Sequence, residues 1–163
     1  MEEEPPSLTP QEKEIVSFYY CLAREVAKGV GPGRCERVYH NAISALLAEK
    51  KIPHESEEQF AIRFESPETK FQYVVGNERL DIRTFGDAGI ILELKAVAKI
   101  DDAAVVQLVH YMNRVGSPPI GAVVNYGLKQ FQFLAVFARL DRYYTYDPVT
   151  EIVLLAPRHT YTF

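Results

Sequence analysis

The sequence predicts a single mixed α/β domain, and three observations carry that reading. Apolar residues recur at helical spacing in two stretches before residue 50, and a third helix is framed by an aspartate start and a glycine stop. Short segments rich in β-branched and aromatic residues lie between and after these helices. No internal repeat or linker divides the 163 residues, of which 47% are hydrophobic and 25% charged, enough for one real core.

The opening stretch MEEEPPSLTPQ is acidic and proline-rich, has no apolar run behind it, and does not read as a signal peptide. Residues 1–10 read as a flexible acidic N-terminus and residues 11–163 as the domain. Within residues 11–28, Ile15, Phe18, Tyr19, Leu22 and Val26 form a helical stripe behind Pro10. GVGPG at 29–33 interrupts it, because Pro32 restricts Gly31 and removes an amide donor. A second helix is expected from about Arg34 to Lys50. Val38, Ala42, Ala45 and Leu46 form one apolar stripe on it, with Tyr39, Ile43 and Leu47 beside them.

Residues 58–65, 70–75 and 78–84 read as three short strands separated by SPET and a Gly-Asn turn. Residues 89–97 form the most apolar strand. Asp101 or Asp102 then caps a helix that runs through Arg114 and stops at Gly116. IGAVVNY at 120–126 is a buried strand, and 131–137 and 151–155 are two more, joined by a tyrosine-rich loop RLDRYYTYDPVT.

Composition excludes several classes. A net charge of −4 argues against strong non-specific binding to a phosphate backbone, which depends on clustered Lys and Arg. Cys21 and Cys35 are too few for a secreted disulfide scaffold and form no metal-type pair. No stretch approaches the ~20 apolar residues of a membrane span. A soluble, intracellular protein without a membrane partner is expected.

The stretch IILELKAV, residues 90–97, carries the chemistry. Strand geometry places Glu93 and Lys95 on one face of an otherwise apolar segment. A hairpin with Phe85 to Gly89 as its loop pairs Thr84 with Ile90, Arg83 with Ile91, and Asp81 with Glu93. Two facing carboxylates repel at the roughly 4.5–5.5 Å that separates opposed Cβ atoms. A positive group is needed between them, and Lys95 or a divalent cation can supply it.

Asp81, eleven intervening residues, then Glu93-Leu94-Lys95 resembles the D…ExK core of the PD-(D/E)XK nucleases. Gly33, Glu36 and Tyr39 match the GxxExxY signature of the GxxExxY protein family within that superfamily. GPGRCERVYHNAISALLAEKKI, LELKAV, VQLVHYM and VVNYG resemble that family's successive conserved segments, in the right order, over about residues 8–127. Two positions depart from the pattern: Leu80 precedes Asp81 where proline is usual, and Cys35 stands where an aliphatic residue is usual. Residues 128–163 lie outside the resemblance.

The resemblance implies a restriction-endonuclease-like αβββαβ core with extra C-terminal strands, and a nuclease acting on DNA or RNA. It implies Mg²⁺ or Mn²⁺ ligated by Asp81 and Glu93, with the Leu94 carbonyl as a third protein ligand and Glu36 joining directly or through water. Lys95 would orient or help deprotonate the attacking water and balance charge, and Gln107 would position the water or contact Lys95. A nuclease-fold module without catalysis, used for binding or assembly, is the other reading.

Other residues carry weaker signals. Tyr39 shares the Glu36 helix face and reads as a core aromatic with a bonded hydroxyl. His40, four residues after Glu36, reads as solvent-facing or satisfied in the core, and His40, His54, His110 and His159 show no metal-ligand spacing. Arg34, Arg37 and Arg83 are candidate phosphate contacts. The aromatic C-terminal segment, YYTYDP with FQF, reads as core packing or as a protein interface, including a homo-oligomer contact. GVGPG lacks the Lys-Ser/Thr of a Walker loop and is a helix-to-helix turn.

Overall fold

The structure, a computed structural model, describes residues 3–158; His159 lies outside them. Helix α1 (Pro10–Val30) starts at Thr9, whose hydroxyl accepts from the Glu12 amide while the Glu12 carboxylate accepts from the Thr9 amide. Within the expected tail, Leu8 is buried and Thr9 caps the helix, so the chain is packed down before residue 11. Arg139 on a distant strand clasps this start by donating to the Glu12 carboxylate and to the Ser7 carbonyl.

Helix α2 is Glu36–Glu49. Its buried face is Tyr39, His40, Ile43 and Leu47, whereas Val38 and Ala45 from the expected stripe are exposed. Both stripes have helical spacing, and bulk decides between them: the larger Tyr39, Ile43 and Leu47 remove more apolar area from water.

Seven strands form one sheet in sequence order: β1 (His54–Glu65), β2 (Gln72–Thr84), β3 (Ile91–Lys95), β4 (Ile120–Tyr126), β5 (Phe131–Arg139), β6 (Arg142–Tyr146) and β7 (Val153–Leu155). Among the described residues, only β3 and β4 pair in parallel, and helix α3 (Asp102–Val115) makes the crossover between them. Alternation along β3 and β4 then builds two cores. Leu92, Leu94, Ala122 and Val124 pack with α1 and α2, while Ile91 and Val123 pack with Val105, Leu108 and Tyr111 of α3. Among the described residues, no helix is long and apolar enough to cross a membrane.

Two further expectations differ from the structure. Gly76 and Asn77 do not turn; they pair with Ile62 and Ala61 inside the continuous strand β2. The real turn is at SPET, where the Lys70 amide reaches the Ser66 carbonyl. The tyrosine-rich loop contains β6, which pairs Arg139 with Arg142 across a tight turn at Leu140-Asp141. Its tyrosines serve the core: Tyr146 is buried, and Tyr143 and Tyr144 pack against the two clusters.

Candidate active site

The site lies where β2 and β3 part. The strands pair at Ile82–Leu92 and Arg83–Ile91, the register expected from the five-residue loop, and the Thr84 amide donates to the Ile90 carbonyl. Extending that register sets Asp81 across from Glu93. There the backbone ladder gives way to a side chain, and the Leu94 amide donates to Asp81 Oδ2 at 2.7 Å. Asp81 therefore stands in for the missing strand partner and is aimed at the β3 segment that carries Glu93.

Glu93 is 3% exposed, and its Oε2 is buried with no hydrogen-bond partner. Burial, first, and the adjacent Asp81 carboxylate, second, push its pKa up to about 10. Glu36, the first residue of α2, is exposed at its helix terminus, and partial burial followed by the charge of Asp81 raises its pKa. Among the described residues, no three His, Cys, Asp or Glu side chains converge closely enough to hold a metal ion. Asp81 and Glu93 thus form a pair, with Glu36 in electrostatic reach but standing off, as its exposed position and like charge allow.

The donor set fits a hard divalent cation. A buried carboxylate oxygen without a partner stands beside a second carboxylate with one oxygen committed to an amide, and both are hard oxygen donors of the kind divalent cations take. The structure fixes Leu94 through its amide and its buried side chain.

Lys95 heads a hydrogen-bond chain. Its Nζ donates to Gln107 Oε1 at 3.0 Å, Gln107 Nε2 donates to the Tyr111 hydroxyl at 3.1 Å, and that hydroxyl donates to the Arg79 carbonyl at 2.8 Å. Gln107 and Tyr111, four apart on α3, face the site together. Burial, then the charge of Glu93, raises the Tyr111 pKa to about 12, so this hydroxyl keeps its proton. Of the two uses expected for Gln107, the structure shows the contact with Lys95.

Gly33, Glu36 and Tyr39 have separate duties. Gly33 turns the chain at φ 84°, where a side chain is strained. Tyr39 donates its hydroxyl to the Gly31 carbonyl at 2.8 Å and accepts from the Arg34 amide at 3.2 Å. Its ring stacks on Tyr126 with centroids 4.2 Å apart, so Tyr39 bolts the glycine turn to the sheet.

Of the two readings expected for His40, the structure shows the core one, with one ring nitrogen engaged. It is buried, and its Nε2 lies 3.3 Å from the Asp81 carbonyl oxygen, bracing the β2 backbone at the site. Its place one turn after Glu36 was the available signal. Arg37 and Arg83 are engaged in ion pairs with Glu57 and Glu58.

A mixed sheet between helices, with a forked D…ExK hairpin, defines a nuclease-type α/β domain. The model of the PD-(D/E)XK nuclease superfamily matches residues 13–134, and the chain belongs to that superfamily. A solved structure described as "Crystal structure of SSO0001" aligns over 86% of this chain and 72% of its own, at 14% identity and a TM-score of 0.46. No curated protein matches the chain.

Proposed function

We propose that the chain is a Mg²⁺- or Mn²⁺-dependent nuclease that hydrolyses phosphodiester bonds of DNA or RNA. The observation that carries this reading is the buried, partnerless Glu93 oxygen beside Asp81, with Lys95 held next to the pair by Gln107. Asp81 and Glu93 would hold the cation, and Glu36, whose carboxyl feels the Asp81 charge, would contribute through water. A cation held there would supply a Lewis acid for the phosphoryl oxygen and would lower the pKa of the attacking water.

The chain's own residues do the rest. Lys95 presents its remaining N–H donors to the developing phosphoryl charge and to the attacking water. Gln107 and Tyr111 fix the direction of that ammonium, which otherwise sits on a flexible four-carbon stem. Asp81, tied to the Leu94 amide, keeps the two carboxylates in register.

Incubation of DNA and RNA with each metal, for wild type, Glu93→Ala and Lys95→Ala, tests the reading. Metal-dependent cleavage by wild type alone is expected; equal cleavage by all three, or none with any metal, overturns it. A non-catalytic binding module is favoured by one observation, the engagement of Arg37 and Arg83 with glutamates. A wild type that neither cuts nor binds nucleic acid, and that assembles into oligomers by light scattering, would establish that alternative.

A further inference from the structure

Beyond Lys95 the chain leaves β3 and runs without regular structure to Asp101, yet a buried polar clamp fixes its course. Asn125 on β4, 0% exposed, accepts from the Val97 amide at 2.9 Å and donates to the Val97 carbonyl at 2.9 Å. One side chain thereby satisfies both backbone groups of one loop residue. Gln132 on β5 accepts from the Ile100 amide at 3.0 Å and from Asn125 Nδ2 at 3.1 Å. Gly127 completes the clamp, because a Cβ there would stand 2.4 Å from the Val97 carbonyl oxygen.

A buried polar network of this kind is worth keeping when it selects one conformation. The conformation selected sets Lys99 and Lys95 around a shared cavity of about 230 Å³, with Val97, Asp101 and Gln107 also in its wall. That is room for several waters at about 30 Å³ each, and so for a phosphoryl group. Lys99 is exposed and makes no ion pair among the described residues. Asp101, the one acid in the wall, has Oδ1 committed to the Ala104 amide as the α3 cap.

We propose that this cavity is a subsite for a second backbone phosphate of the nucleic-acid substrate, with Lys99 as its binding cation and Asn125 as the residue that positions it. The proposal rests on the nuclease reading for the identity of the ligand and deepens it by saying where the strand continues past the cutting site. Lys95 lies between the two positions, with one donor spent on Gln107 and two free. Lys99 then contributes affinity and register, and the Asp81–Glu93 pair contributes the chemistry.

The test is a salt titration of a fluorescein-labelled DNA or RNA 20-mer in EDTA, read by anisotropy, for wild type, Lys99→Ala and Lys99→Arg. Loss of one phosphate contact lowers the slope of log K against log[salt] by about 0.9 on duplex or about 0.7 on single strand. Lys99→Ala is expected to show that loss with binding weakened several-fold, and Lys99→Arg to restore it. Asn125→Leu should reproduce the slope loss while its thermal midpoint reports the clamp. An unchanged slope in Lys99→Ala, or no binding by wild type, overturns the subsite. A Lys99-dependent slope in a protein that cuts nothing overturns only the nuclease reading.

Discussion

The Leu94 amide donates to the Asp81 carboxylate across 2.7 Å, at the first position where β2 and β3 no longer pair through their backbones. One contact therefore closes the fork and orients half of the candidate metal pair. Replacing Asp81 with Ala leaves that amide without its acceptor, at a cost of about 1–3 kcal/mol. Replacing it with Asn keeps an acceptor oxygen. Urea unfolding should rank Asp81→Asn above Asp81→Ala in stability, with both inactive on nucleic acid.

Glu93 makes stability depend on pH in a direction opposite to an ordinary ion-paired carboxylate. Its folded pKa lies above the unfolded value, so the native chain holds a proton that the unfolded chain has released. The associated stability is fully present below the unfolded value near 4.5 and is lost as pH rises toward about 10. The slope is at most about 1.4 kcal/mol per pH unit. Urea midpoints in EDTA at pH 5, 7 and 9 should fall for wild type relative to Glu93→Gln. Parallel curves would refute the assignment.

Divalent metal should reverse that penalty. A cation that binds the ionised pair releases the Glu93 proton, so affinity rises with pH. Mn²⁺ at saturating concentration is expected to raise the thermal midpoint of wild type more at pH 8 than at pH 6. It should leave Glu93→Gln nearly unmoved.

Gln107→Leu frees the Lys95 ammonium without touching the carboxylates. Cleavage at saturating substrate should drop, approaching the ~10²-fold that a misplacement of about 1 Å costs, while KM stays put. Tyr111→Phe should give a smaller fall in kcat together with some lost stability, since the Arg79 carbonyl loses its hydroxyl donor.

Gly127→Ala drives a methyl group into the Val97 carbonyl and should cost about 1–3 kcal/mol, measured by urea unfolding. A neutral result would mean that the loop after β3 yields easily.

The parts legible in the sequence are those set by short-range rules. The Phe85–Gly89 loop fixes the hairpin register by counting, and residue spacing alone then places Asp81 against Glu93. Asp101 and Gly116 mark the ends of α3 in the same way. Gly76-Asn77 misleads because its turn signal is local, whereas the pairing of β2 with residues 54–65 along their length overrides it. The β5–β6 turn was invisible because Leu140, at φ 55°, occupies a conformation usually given to Gly or Asn. Asn125 reads as one polar residue in an apolar strand; its partners are 28 residues earlier and 7 later, beyond any periodicity.

The clasp between Arg139 and the Ser7–Glu12 segment has a consequence in time. These groups are separated by 127 and 132 positions, so the first helix cannot be locked in place during synthesis until β5 has left the ribosome. Until then the apolar stripe of Ile15, Tyr19, Leu22 and Val26 lacks that anchor. A nascent chain halted before residue 139 would carry the whole Asp81–Lys95 hairpin, yet its earliest helix would still be waiting for its last fastening.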